Sequence, residues 1–429
     1  MSLGAPAFVL LITFVVTMFL GIPVSWSLIL SSLAGMWAKG GIPLTILAQR
    51  MFTAGESYPM LAIPAFFLAG DIMCMGGISK RLTNFVDAFL GWLSGALSIV
   101  SITACTFFAA ISGSATATTS AIGSIMVPEM IEKGYPPEHS AACQCIGGTL
   151  GPVIPPSMMF IFYANATNIS ISKLLVSGVI PGLISCFLLC LTAYAIAKIY
   201  RFPKGNSFDI KRAWASVKDA FFAILMPIIV LGGIYSGVFT PTEAAGVSVV
   251  YGFVVALFIY RSITLRDIFE ILKKTAVTTA NLEILVTAAV LFGWFVSYFN
   301  IAKSVAAWII NVSSTAVTFW LLTDLVLIIA GMFIDCLATV VILAPILHTV
   351  AVGYGIDPIH YGLVVTFLLC LGNATPPFGT TLYIASGIAK APILKTAKAT
   401  MPFIVTQIVC ALLFSFIPWF STLLPNLMF

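Results

Sequence analysis

Leu150-Gly-Pro-Val-Ile-Pro-Pro156 and Leu371-Gly-Asn-Ala-Thr-Pro-Pro377 stand 221 residues apart, each in the middle of an apolar stretch. The same offset relates Gly134 to Gly355, Pro137 to Pro358, His139 to His360, Ala164 to Ala385 and Pro181 to Pro402. Most of these matches are Gly or Pro, residues that act on the backbone, and apolar composition alone does not readily repeat a Gly-x-x-x-Pro-Pro. The chain therefore reads as a structural duplication. Two prolines in mid-segment remove amide donors and clash with the preceding turn. The segments at about 141–164 and 360–386 are thus expected to be discontinuous helices, each two half-helices around an unwound centre. A simple proline kink would account for one proline but poorly for a Gly and a Pro-Pro pair occurring twice. In hydrocarbon, the freed carbonyls are costly unless something binds them, and unwound backbone at mid-membrane is where transporters hold cations and anionic cargo.

The surroundings of these two stretches place them in a membrane. Of 429 residues, 60% are apolar and 8% charged, with a mean hydropathy of +1.10. A soluble chain carries about 25% charged residues. This composition excludes a cytosolic enzyme or a nucleic-acid binder, despite the net charge of +5. One membrane helix needs about 20 apolar residues, so the length allows roughly ten to twelve spans or half-spans. Further apolar segments run at about 7–38 (broken at Gly21-Ile-Pro23), 58–75, 91–127, 174–197, 276–299, 317–350 and 401–428. Met1 to Pro6 has no basic leader, and the run from Ala7 has no small-residue cleavage site, so it reads as a retained helix. The nine cysteines all lie in apolar stretches without a second cluster to complete a metal site, and they read as core residues.

Upstream of each interrupted helix comes a second unusual element. Ile99 to Val127 is broken by Ser112-Gly-Ser-Ala-Thr-Ala-Thr-Thr-Ser120, and Leu321 to Val350 by Ala330-Gly-Met-Phe-Ile-Asp335. At about 29 residues each is too long for one simple span and too short for two. A re-entrant hairpin fits both, at about 97–128 and 317–350, its small tip residues letting backbone approach a neighbouring unwound helix. Ordinary small-residue helix packing is the competing explanation for Ser112–Ser120.

Charge sets the expected orientation. Lys198, Arg201, Lys204, Lys211, Arg212 and Lys218 form one basic stretch and Arg261, Arg266, Lys273 and Lys274 another, both cytoplasmic by the positive-inside rule. Phe221 to Tyr260 would cross twice, turning at Gly237–Glu243. Asp267, Glu270, Lys273 and Lys274 suit an amphipathic surface helix. The first interrupted helix is followed by Lys173 alone, the second by Lys390, Lys395 and Lys398, which implies an inverted repeat.

Few polar groups interrupt the apolar runs. Asp335 sits in one, where an ionised carboxylate is expensive; a part in a transport site and a structural hydrogen bond are both open. Arg50 would attract an acidic substrate or snorkel to lipid headgroups. Asp71 is expected at an interface or helix cap, and Glu243, Glu283 and Asp324 at helix ends. His139 is expected in a polar loop, with His348 and His360 near segment ends. Sodium suits a site of hydroxyls, amides and carbonyls, whereas proton relays use chains of Asp, Glu and His. No Gly-x-x-x-x-Gly-Lys-Ser/Thr motif is present for ATP.

Seven motifs, in order along nearly the whole chain, resemble the large membrane subunit of the tripartite ATP-independent periplasmic (TRAP) transporters. They are Leu61-Ala-Ile-Pro-Ala-Phe-Phe-Leu-Ala-Gly70, Ile111-Ser-Gly-Ser114, Gly151-Pro-Val-Ile-Pro-Pro-Ser157, Pro181-Gly182, Phe239-Thr-Pro-Thr-Glu-Ala244, Gly331-Met-Phe-Ile-Asp335 and Thr375-Pro-Pro377. Phe378 departs from the smaller aliphatic residue expected there. The resemblance implies a sodium-driven importer of carboxylates such as sialic acid, sugar acids or C4-dicarboxylates in the bacterial inner membrane, and not an enzyme. It would work with a small four-helix membrane subunit and a periplasmic substrate-binding protein, and its only cofactor would be Na+. It implies an elevator, with transport-domain halves at 91–173 and 317–400. Scaffold and arm helices would occupy 1–90, 174–275 and 276–316, with a C-terminal helix at 401–429. Carried over by motif, one sodium site joins Ser112 and Ser114 to Gly148, Gly151 and Pro152. A second joins Gly331 and Asp335 to Gly372 and Thr375. Substrate would meet Arg50, Ser114, Asp335 and the proline pairs Pro155–Pro156 and Pro376–Pro377. The competing readings are a stand-alone sodium/anion symporter and a membrane-embedded enzyme such as an intramembrane protease, for which Asp335 lacks an obvious partner.

Overall fold

Glycine and proline divide the chain into helices. The computed structural model describes residues 4–56, 58–203, 208–313, 315–334, 336–377 and 379–429, without the side chains of Pro59, Ala302, Lys303 and Ala306. Asp335 and Phe378 therefore lie outside the described residues. The first group is α1 (Ala5–Phe19), α2 (Val24–Lys39), α3 (Thr45–Gly55), α4 (Ala62–Met75) and α5 (Ile78–Leu90). Next come α6 (Ala96–Ser112), α7 (Ala115–Glu132), α8 (Pro137–Gly148), α9 (Met158–Thr167), α10 (Ile171–Ser177) and α11 (Val179–Ile199). The chain continues through α12 (Ile210–Tyr235), α13 (Pro241–Val254, extended by a π turn Val255–Ile259), α14 (Leu265–Tyr298) and α15 (Ile301–Val312). It closes with α16 (Ala316–Phe333), α17 (Cys336–Gly353), α18 (Pro358–Gly372), α19 (Thr380–Ala389), α20 (Ile393–Phe416) and α21 (Trp419–Met428).

Among the described residues, seven helices are long and apolar enough to cross a membrane, or eight if α4 and α5, bent by 68° at Gly76–Gly77, count as one span. Five shorter apolar helices, α1, α6, α9, α18 and α19, fall below that length. Local chemistry explains the boundaries. The interruption between α1 and α2 falls at Gly21, whose φ is +77°, and Pro23. Thr240 and Glu243 form a capping box that starts α13 after the expected turn, so Glu243 is a helix-end residue as the sequence indicates.

One expectation is corrected by α14. The charged stretch around Asp267 and Lys274 is not a separate surface helix but the first turns of a single 34-residue helix. Thr264 and Asp267 cap it, and no proline stands between Leu265 and Tyr298 to break it. Charge marks where the helix meets water without ending it.

The core is centred on α8, α9 and α18, where Phe160, Phe162, Tyr163 and Tyr361 are among the largest fully buried side chains. The outer helices present Phe187, Phe221, Ile228, Val250 and Leu325 outward, an apolar exterior suited to lipid. Arg81 pairs with Asp219 at 3.2 Å and Arg212 with Asp87, so two ion pairs join α5 to α12 at their charged ends.

Candidate functional site

The matched positions of the duplication carry matched backbone features. Gly134 and Gly355 have φ of +88° and +75° and precede α8 and α18, which begin at Pro137 and Pro358. Helix is interrupted between Gly148 and Met158, and again between Gly372 and Thr380. Pro155–Pro156 and Pro376–Pro377 are both cis.

The tip of the α6–α7 hairpin lies against the first interruption. At the tip, Gly113 has a φ of +60°, and a methyl group there would come 2.3 Å from the Pro156 carbonyl oxygen. A methyl on Gly151 would sit 2.5 Å from the Ser114 carbonyl oxygen, and one on Gly148 1.9 Å from Thr119 Oγ1. At Gly113 and Gly151 the obstacle is backbone, so only a residue without Cβ permits the approach. Ser112, Ser114, Gly148, Gly151 and Pro152 are thereby gathered in one place, with Pro156 beside them. Ser112 Oγ is 2.8 Å from Thr118 Oγ1, and Ser114 Oγ accepts from the Ala117 amide at 3.4 Å to start α7. Ser157 donates to the Pro152 carbonyl and accepts from the Phe160 amide, which starts α9.

The second half repeats the contact with different residues. Gly331, in the last turn of α16, faces Gly372 at the end of α18; a methyl on Gly372 would lie 2.4 Å from the Gly331 carbonyl carbon. Thr375 Oγ1 donates to the Leu371 carbonyl at 2.8 Å. Asn373 donates to Cys336 Sγ at 3.1 Å, and its own carbonyl accepts from Thr381 Oγ1 at 2.8 Å. Tyr383 donates to the Pro377 carbonyl at 3.2 Å. Asp335, the fourth member of this set, is outside the described residues.

The two halves meet at a small cavity of about 60 Å³, lined by Phe67, Gly113, Ser114, Pro152, Cys336 and Asn373. Its polar groups are hydroxyl, amide, thiol and carbonyl. The hydroxyl and carbonyl oxygens suit a hard monovalent cation, and the hydroxyl O–H and amide N–H groups can donate to an anion's oxygens. No group of three or more His, Cys, Asp or Glu side chains that could hold a metal occurs among the described residues.

Arg50 is not part of this gathering. Its guanidinium lies 5.1 Å from the Trp294 ring centroid, and it lines a separate cavity of about 570 Å³ with Phe162, Asn165, Ser297 and Thr349.

Several polar residues are tied to partners on other helices, and some of them lie elsewhere than their sequence neighbourhood suggests. Asp324 is not at a helix end; it is buried within α16 and accepts from Ser415 Oγ of α20 at 2.9 Å. Glu283 lies in mid-α14 rather than at its end, facing Gly55. His139 is not in a loop but in the first turn of α8, buried, with Nε2 2.9 Å from Ser98 Oγ. His360 bridges α18 to α21 and α20, 2.7 Å from Ser421 Oγ and 3.2 Å from the Ser415 carbonyl. His348 meets Tyr163 OH at 3.0 Å, joining α17 to α9. Asp71 sits within α4, not at a cap, and accepts from Lys274 Nζ at 2.6 Å and Thr275 Oγ1 at 2.9 Å of α14.

Gln144 was not singled out by any motif, yet it fastens the first hairpin to α8. Its Oε1 accepts from Ser101 Oγ at 2.9 Å, and its Nε2 donates towards the Thr118 and Thr119 carbonyls at 3.4 and 3.3 Å. The available signal is an amide alone in the middle of an apolar segment.

These interrupted helices and hairpins are the architecture of a polytopic membrane transporter. The fold is similar to that of the Alcanivorax borkumensis YdaH transporter, at a TM-score of 0.64 and 16% identity over 89% of this chain and 88% of that one. Residues 11–420 match the family model described as "Tripartite ATP-independent periplasmic transporter, DctM component". The C4-dicarboxylate TRAP transporter large permease protein DctM of Rhodobacter capsulatus is 35% identical over 425 residues, covering 96% of this chain and 97% of the relative. The sialic acid large permease SiaM of Vibrio cholerae is 34% identical over 410 residues, covering 96% of each. The isethionate permease DctMQ of Oleidesulfovibrio alaskensis is 36% identical over 407 residues, covering 94% of this chain and 64% of that protein. The chain belongs to the DctM family of TRAP transporter large permeases, and it is a multi-pass membrane protein.

Proposed function

We propose that the chain is the large permease of a tripartite importer in a bacterial inner membrane, carrying a small organic carboxylate into the cell with sodium as the coupling ion. Its cargo would arrive on a periplasmic binding protein, and a small four-helix membrane subunit would complete the assembly. The relatives above are named for a C4-dicarboxylate, sialic acid and isethionate. All three are small organic anions, which is the chemistry to expect of the cargo here.

The observation that carries this reading is the double seating of a hairpin tip on an interrupted helix by glycine backbone, in both halves of one chain. Ser112, Ser114, Gly148, Gly151 and Pro152 would form one sodium site, and Gly331, Asp335, Gly372 and Thr375 the other. Oxygen ligands without thiolate or imidazole match that ion. Cargo would bind between the tips, at Ser114, Asp335 and the proline pairs Pro155–Pro156 and Pro376–Pro377, with Arg50 attracting it from the neighbouring cavity. In this reading the repeats are inverted, and the segments 91–173 and 317–400 move together as an elevator against the remaining helices.

The test is uptake into liposomes holding the chain, its small subunit and the external binding protein, with succinate, N-acetylneuraminate and isethionate as probes. Uptake of one of them should require all three components and a sodium gradient. Unchanged import when potassium replaces sodium would refute the coupling. Import by this chain alone would favour a self-sufficient symporter instead.

A further inference from the structure

Lys274 and Asp71 line a second cavity, of about 300 Å³, beside the first hairpin. Its remaining polar lining is the Cys74 thiol and the hydroxyls of Ser112, Ser114, Thr116, Ser120, Ser124 and Thr278. Ser114 and Thr116 also line the small chamber between the two hairpins, so the cavity continues from the proposed cargo site. Lys274 is its one cation among the described lining residues. Twenty residues further along α14, Trp294 lines the cavity that holds Arg50. The Arg50 cavity is also lined by Val286, Ala289 and Val290, so it reaches the middle of α14, while the Lys274 cavity meets the helix at Lys274 and Thr278. The two cavities therefore open along different stretches of one helix, each furnished with a single basic side chain.

The ion pair itself does little to hold the helices together. The Lys274 side chain is 62% exposed, and pairs that open to solvent contribute little to stability. Asp71 also keeps an independent donor in Thr275 Oγ1 at 2.9 Å, so it remains bonded if the ammonium leaves. The pair thus consists of an ammonium that can exchange partners and a carboxylate that stays anchored.

We propose that Lys274 is an anion-receiving subsite, where the carboxylate of the cargo takes the place of Asp71 on the ammonium, and Asp71 reclaims it as the cargo departs. Cargo leaving the chamber would pass along the hydroxyl-lined wall of α7 to this cation. Asp71 keeps the ammonium from holding the anion too tightly. The inference rests on the reading of the chain as an organic-anion permease.

The experiment compares K274Q, K274R and D71N in the complete reconstituted assembly. The probe is whichever of succinate, N-acetylneuraminate and isethionate the native assembly carries. Half-saturation is measured separately from each face, in right-side-out and inverted vesicles. From the Lys274 face, K274Q should raise the half-saturating concentration about tenfold, the loss of one charge-assisted hydrogen bond. K274R should stay near native, and D71N should lower the concentration by freeing the ammonium. From the Arg50 face the shifts should be smaller, because there the subsite meets cargo only on its way out. K274Q and D71N break the same ion pair, so a folding defect or a purely structural latch would shift both in one direction. That result, or native behaviour of K274Q, would overturn this subsite while leaving the permease reading standing. Failure of the native assembly to carry any of the three anions would overturn both.

Discussion

Gly331 and Gly372 touch backbone to backbone: a methyl group on Gly372 would lie 2.4 Å from the carbonyl carbon of Gly331 and 2.5 Å from its Cα. The reverse is less severe, because a methyl on Gly331 would first meet the Leu369 carbonyl oxygen at 3.0 Å. Neither obstacle is a side chain that can rotate away. G372A should therefore cost more than G331A, at or above the roughly 1–3 kcal/mol usual for overpacking. Thermal unfolding of the two variants in detergent checks the order.

In the first half one obstacle is removable. A methyl on Gly148 would clash with Thr119 Oγ1 at 1.9 Å, whereas one on Gly151 would clash with the Ser114 backbone oxygen. T119A should recover much of the melting temperature lost in G148A and none of that lost in G151A. The difference is read as a coupling in a double-mutant cycle.

Asp324 depends on one described donor. Ser415 Oγ bonds its Oδ2, and its Oδ1 has no partner among the described residues. S415A should destabilise the chain by about 1–3 kcal/mol, the cost of leaving a buried acceptor unmet. D324N should be milder, since an amide can replace the carboxylate in the same bond. Unfolding midpoints of the two variants compare them.

Asp335 is the proposed anionic ligand of the second sodium site. D335A should abolish sodium-dependent uptake while the protein still inserts, as judged by membrane fractionation. Uptake at the native level would remove Asp335 from the mechanism.

What was legible in the sequence is what acts locally through the backbone. Gly151, Pro155 and Pro156, with their counterparts Gly372, Pro376 and Pro377, locate both interruptions because proline and glycine impose their geometry wherever they stand. Likewise Gly113 places the first hairpin tip. Asp324, His139 and Gln144 are not legible there for the opposite reason. Their partners are distant in sequence, Ser415 being 91 residues from Asp324 and Ser101 43 from Gln144, so only tertiary packing reveals what they do. Lys274 belongs with them: its charge run announces water nearby, and its cavity is closed by α4, α6 and α7, far earlier in the chain.

The chamber where the hairpins meet, about 60 Å³, has room for a few water molecules but not for a four-carbon diacid. Beside the roomier cavity that shares Ser114 and Thr116 with it, the chamber is thus a plugged waist, too narrow for the cargo with the tips as they stand. In the proposed permease, cargo would be seated there only if the tips first part, before the two segments travel together.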